Sequence, residues 1–124
     1  MEKNPEIQFR SPEEIKCYQE KQLATALAYL QAHSKFYQRM FEEQRIDINQ
    51  IKTIEDLQQL PVTTKTDLQL YNDDFICVDK EEIIDYVTTS GTLGDPVTFV
   101  LTSEDLDRLA YNEYLSFTTA GCSK

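Results

Sequence analysis

The sequence predicts an α/β chain: a helical layer over residues 1–72, followed over residues 73–124 by a β-hairpin and one more helix. Three observations carry that expectation. Capped apolar stripes at helical spacing fill the first part. Two short alternating runs, rich in β-branched and aromatic residues, then flank a patch holding two of the chain's three glycines. A last apolar stripe runs until Gly121 stops it.

Ser11-Pro12-Glu13-Glu14 opens the first helix, because a capping hydroxyl, a proline at the first helical position and a glutamate three residues after the cap all satisfy or suit free helix N–H groups. Ile15, Tyr18, Leu23, Ala26, Leu27 and Leu30 follow near helical spacing. Ser34 caps a second helix with Phe36, Tyr37, Met40 and Phe41 on its apolar side, and Asp47-Ile48-Asn49 breaks the pattern. His33 falls at the end of the first helix, where an exposed or capping role is expected. TIEDLQQLPVTTKTDLQLY gives two short helical segments on either side of Leu60-Pro61, with Thr53 and Thr64 as caps and Asp56 and Asp67 three residues after them.

Ile84, Tyr86 and Thr88 alternate with Ile83, Asp85 and Val87, and beyond the glycine patch Val97, Phe99 and Leu101 alternate with Thr98, Val100 and Thr102. Two half-buried strands are expected. Thr102 or Ser103 caps the last helix, whose apolar stripe is Leu106, Leu109, Ala110, Tyr114 and Phe117. Ser123-Lys124 after Gly121 reads as the cap of a further helix, so the chain is expected to be the leading part of a larger protein.

A composition of 40% hydrophobic and 27% charged residues is that of a globular protein. Twelve basic against 22 acidic residues give a net charge of −10, which repels phosphate backbones and anionic lipid, so neither nucleic acid nor membrane is an expected partner. The N-terminal MEKNPEIQFRSPEEIK has no continuous apolar run and reads as neither signal nor span. Cys17, Cys77 and Cys122 are odd in number and widely spaced, which fits reduced thiols in a cytosol. With no CxxC and only one histidine, zinc is disfavoured. The acidic run Asp73, Asp74, Asp79, Glu81, Glu82 and Asp85 lacks the ligand spacing and central glycine of a calcium loop, and reads as a solvated face.

The patch Thr89-Ser90-Gly91-Thr92-Leu93-Gly94-Asp95-Pro96 admits two readings. In the first it is a hairpin turn, since glycine, aspartate and proline each favour turns. In the second, glycines let the backbone curl so that its N–H groups and the hydroxyls of Thr89, Ser90 and Thr92 face a polyphosphate. It is not a Walker loop, because the Gly-Lys-Ser/Thr ending is absent.

TTSGTLGDP resembles the phosphate-binding signature of the AMP-forming acyl-CoA synthetase superfamily. HSKFYQRMF, IKTIEDLQQLPVTTKTDLQ and TTSGTLGDPVTFVLTSEDLDRLA together are similar in order and spacing to the start of phenylacetate-CoA ligases. This resemblance implies that residues 73–124 begin the nucleotide-binding large domain of an adenylate-forming enzyme, with Thr89, Ser90, Gly91, Thr92, Leu93 and Gly94 at the β- and γ-phosphates of ATP. It also implies magnesium and coenzyme A as further cofactors, a small aryl carboxylic acid as substrate, and a cytoplasmic ligase, and it leaves a homodimer of the complete protein open. The sequence departs from the family at Leu93, where a second hydroxyl is usual, at Asp95, where many members carry lysine, and at Val97, where the wider superfamily often does. The loop therefore has no cation of its own. The resemblance places the family's adenine, magnesium, ribose and C-terminal lysine positions beyond Lys124, so no catalytic acid or base is assigned here. The reading from a different class is a non-catalytic interaction module, in which the helices from Ser11 to Glu43 pack on a partner and the loop is only a turn.

Overall fold

The structure is a computed structural model that describes residues 6–91 and 94–122. The chain divides into two compact units, one ending at Cys77 and the other beginning at Val78. No helix among the described residues is long and apolar enough to cross a membrane.

The first unit is built on α1 (Pro12–His33) and α2 (Lys35–Glu43). The Ser11 box forms as expected: the Glu14 N–H donates to Ser11 Oγ at 3.2 Å, and the Ser11 N–H donates to Glu14 Oε2 at 3.0 Å. Ile15, Tyr18, Leu23 and Leu30 are half-buried and Leu27 is buried, whereas Ala26 faces solvent. His33 ends α1 exposed, its ring 4.5 Å from that of Tyr29. Ser34 both ends α1 and caps α2, and its side chain is fully enclosed. Its hydroxyl accepts from the Tyr37 N–H at 3.3 Å and donates to the Asp74 carbonyl at 3.1 Å, so neither group is left unpaired on burial.

Leu27, Phe41 and Ile51 form the core of this unit, with Leu23, Tyr37, Met40, Ile46, Ile48 and Leu60 packed around them. The connector is a chain of short turns, at Ile48–Gln50, Glu55–Gln59, α3 (Lys65–Leu70) and Asn72–Phe75. Thr64 and Asp67 cap α3 reciprocally. Thr53 and Asp56 do the same at a 3₁₀ turn rather than an α-helix, because Leu60-Pro61 leaves too little chain for a longer element. Asp56 and Asp67 have carboxyl pKa values below the ordinary one, Asp56 chiefly through the Thr53 and Lys52 N–H groups and Asp67 chiefly through the Thr64 hydroxyl. Lys16 on α1 reaches Glu55 at 2.7 Å, tying the connector to the long helix.

The second unit holds β1 (Asp85–Thr88), β2 (Thr98–Leu101) and α4 (Ser103–Thr119). The strands pair antiparallel, with Asp85 opposite Leu101 and Thr88 opposite Thr98. Thr102 is the cap of α4, and Asp105 completes the box.

Two expectations fail here. β1 is exposed along its whole length rather than half-buried, and Tyr86, Val87 and Phe99 all face solvent. On α4, Leu106, Leu109, Tyr114 and Phe117 are exposed, whereas the partly buried positions are Asp105, Arg108, Tyr111 and Leu115. The reason is the same for both. A stripe is buried only when a layer lies against it, and the described residues of this unit supply a two-stranded sheet, one α-helix and a 3₁₀ turn at Lys80–Glu82.

The acidic run is engaged piecemeal rather than gathered. Asp74 pairs with Arg39 at 3.0 Å, and Glu82 accepts the Asp79 N–H at 3.2 Å. Among the described residues no three or more His, Cys, Asp or Glu side chains come together as a metal site.

Candidate functional site

The ladder of β1 and β2 ends in a close pair of hydroxyls, with Thr88 Oγ1 and Thr98 Oγ1 3.5 Å apart. One residue further on, the Thr89 N–H donates to the Val97 carbonyl at 3.0 Å and the Val97 N–H donates to Thr89 Oγ1 at 3.0 Å. Val97 is 2% exposed and anchors the returning chain. Ser90 is exposed and lies just outside this closure.

Gly91 has φ +62° and Gly94 φ +127°, both in the region that side chains disfavour. A Cβ added at Gly91 would sit 3.2 Å from the Gly94 carbonyl oxygen and 3.6 Å from the Pro96 ring, so the loop folds over this residue with little space to spare. A left-handed residue in such a turn can aim successive N–H groups into one concavity, which is the geometry that holds anionic oxygens.

Of the six residues expected at phosphate, the structure brings Thr89, Ser90, Gly91 and Gly94 into one hairpin loop. Thr92 and Leu93 lie outside the described residues. No lysine, arginine or histidine stands between Thr89 and Val97. The loop's own means of meeting negative charge are therefore N–H groups and hydroxyls.

Sequence reasoning missed two features. The first is the Thr89–Val97 bond pair, because Thr88, Thr89 and Ser90 are chemically alike in sequence and only the ladder register distinguishes them. The second is a groove of about 480 Å³ in the first unit, lined by residues that include Phe36, Arg39, Met40, Pro61, Val62 and Tyr71. Arg39 lies 4.6 Å over the Tyr71 ring while its Nη1 donates to Asp74. Its partners are 32 and 35 residues away, beyond the reach of any local pattern.

No family model matches the chain. It is 32% identical to the phenylacetate-coenzyme A ligase of Thermus thermophilus over 94% of its own length, and 29% identical to that of Escherichia coli over the same share. It spans about a quarter of these relatives, 26% of the first and 27% of the second. Among solved structures, 2-hydroxyisobutyryl-CoA ligase in complex with 2-HIB-AMP and CoA, in its thioesterification state, superposes with a TM-score of 0.80 at 30% identity, over 87% of this chain and 24% of that one. An open conformation of the same ligase gives 0.79 at 28% identity, over 87% of this chain and 26% of that one. The chain's fold matches the N-terminal part of the adenylate-forming ligase fold.

The helical region, the antiparallel hairpin and the helix after it match that fold in order.

Proposed function

We propose that the chain is the leading part of an ATP-dependent, AMP-forming aryl-acid coenzyme A ligase, with phenylacetate-like acids as substrates. In this reading residues 73–124 begin the nucleotide-binding domain, and the loop from Thr89 to Pro96 holds the β- and γ-phosphates of ATP. The observation that carries it is the loop itself: a hairpin closed at Thr89 and Val97, with left-handed glycines at 91 and 94, in a chain similar to acid–CoA ligases along nearly all of its length.

The chemistry follows from the weakness of a carboxylate as an electrophile. The acid's oxygen attacks the α-phosphorus of ATP, the bond from that phosphorus to the α,β-bridging oxygen breaks, and pyrophosphate leaves, giving an acyl adenylate. The sulfur of coenzyme A then attacks the acyl carbon and AMP departs. Within this scheme the loop fixes the leaving pyrophosphate in line with the attacking oxygen and stabilises its growing charge through N–H groups and hydroxyls, which is catalysis by positioning and electrostatics. Glycine at 91 suits the tight loop, because its φ of +62° is one that side chains disfavour and a Cβ there would press on the Gly94 carbonyl oxygen. Among the described residues no three or more His, Cys, Asp or Glu side chains are grouped so that they could hold magnesium.

Pyrophosphate release tests the reading. The 124-residue chain with ATP, magnesium and phenylacetate is expected to stay at buffer background, because the loop from Thr89 to Pro96 has no cation of its own and a net charge of −10 repels ATP. A complete ligase carrying this segment is expected to release pyrophosphate only when an aryl acid is present. Turnover by the chain alone would show a complete enzyme misread as a part, and a complete protein that releases no pyrophosphate with any aryl acid would favour the interaction-module reading.

A further inference from the structure

We propose that Thr89 is a positioning residue, whose hydroxyl replaces a main-chain carbonyl at the last rung of the hairpin and so sets where the loop leaves the ladder. The proposal rests on the phosphate-loop reading and assigns Thr89 a role different from phosphate contact.

In an ordinary hydrogen-bonded antiparallel pair, the two residues exchange both N–H···O=C bonds. Between Thr89 and Val97 only one is of that kind, the Thr89 N–H to the Val97 carbonyl at 3.0 Å. The returning bond runs from the Val97 N–H to the side-chain oxygen of Thr89, also at 3.0 Å. The Thr89 carbonyl is thereby relieved of facing the partner strand, and the backbone can turn away at Ser90. This is the hairpin's counterpart of a helix cap, where a side-chain oxygen accepts from an N–H as the main chain departs.

Burial makes the bond matter. Val97 is 2% exposed, so its N–H has little water to fall back on if the hydroxyl is removed. Loss of the bond frees the base of the loop, and Gly91, Gly94 and Pro96 lose the fixed approach that leaves only 3.2 Å between a Gly91 Cβ and the Gly94 oxygen. Thr89 therefore acts on a bound phosphate through Val97 and the loop backbone. Among the described residues of the loop, Ser90, exposed and one residue on, is left to offer its hydroxyl to the phosphate.

The test uses the ¹⁵N-labelled chain, with amide exchange at Val97 and titration with magnesium pyrophosphate as paired readouts. Thr89→Val, which keeps the β-branched shape, is expected to speed Val97 exchange and to weaken pyrophosphate binding about fivefold each, the worth of one net hydrogen bond. Thr89→Ser should restore both. Val97→Pro removes the other end of the same bond and leaves the Thr89 hydroxyl in place; it is expected to weaken pyrophosphate to a similar degree, with the double variant no weaker than either single one. Exchange at Phe99 reports whether the hairpin is intact in each. Unchanged Val97 exchange in Thr89→Val would overturn the proposal, as would a Val97→Pro chain that binds pyrophosphate fully while Thr89→Val does not, since that is the signature of direct contact. Absence of any pyrophosphate response in the unaltered chain would instead overturn the phosphate-loop reading, and the positioning role with it, while the exchange data alone still report the closure.

Discussion

Ser90→Ala in a complete ligase carrying this segment is expected to slow adenylation roughly tenfold to a hundredfold. A hydroxyl that donates to a phosphate oxygen makes a charge-assisted hydrogen bond worth about 1.5–3 kcal/mol, and each ~1.4 kcal/mol of lost transition-state stabilisation is a factor of ten. The loss should fall on the first step. ATP–pyrophosphate exchange driven by the aryl acid should therefore drop, while transfer from a supplied acyl adenylate to coenzyme A should hold. Ser90 is exposed and lies outside the closing pair of Thr89 and Val97, so the substitution should leave the hairpin standing. Unchanged exchange in Ser90→Ala would reduce the loop to a turn.

Phe41→Ala is expected to remove about 3–5 kcal/mol of stability from the first unit, the usual cost of deleting a buried aromatic ring. Phe41 is 3% exposed and packs with Leu27 and Ile51, and its ring lies 5.9 Å from that of Tyr37. Few other large side chains are fully enclosed, so little can collapse into the space. Against a typical domain stability of about 5–15 kcal/mol, such a loss approaches the whole in so small a unit. Urea unfolding followed by far-ultraviolet circular dichroism should show the midpoint fall steeply. Val62→Ala, at 86% exposed, is the control and should move it by no more than about 0.5 kcal/mol. Equal midpoints for the two variants would mean that the core is misassigned.

Local chemistry was readable in advance and tertiary cover was not. Ser11, Ser34 and Thr64 cap their helices as expected, and of the two candidates Thr102 and Ser103 it is Thr102 that caps the last, because a cap is an interaction among near neighbours. The hairpin was readable for the same reason, since glycines and β-branched runs act within a few residues of each other. The faces of β1 and α4 were misjudged because periodicity reports which side of an element is apolar, and not whether anything lies against it. Leu106 and Phe117 belong to such a stripe, and both stay exposed among the described residues. At the loop, the turn-forming glycines could be picked out from residue type alone. Thr89 could not be told from Thr88, because its distinct role depends on which residue of the returning strand stands opposite.

The most direct test of the central claim is a crystal structure of the complete ligase with magnesium and a non-hydrolysable ATP analogue. The β- and γ-phosphates are expected within hydrogen-bond distance, about 3 Å, of the Ser90 hydroxyl and of loop N–H groups between Ser90 and Gly94, with the Thr89 hydroxyl still accepting from Val97. Phosphates seated elsewhere in the protein, with this loop unchanged and empty of contacts, would contradict it.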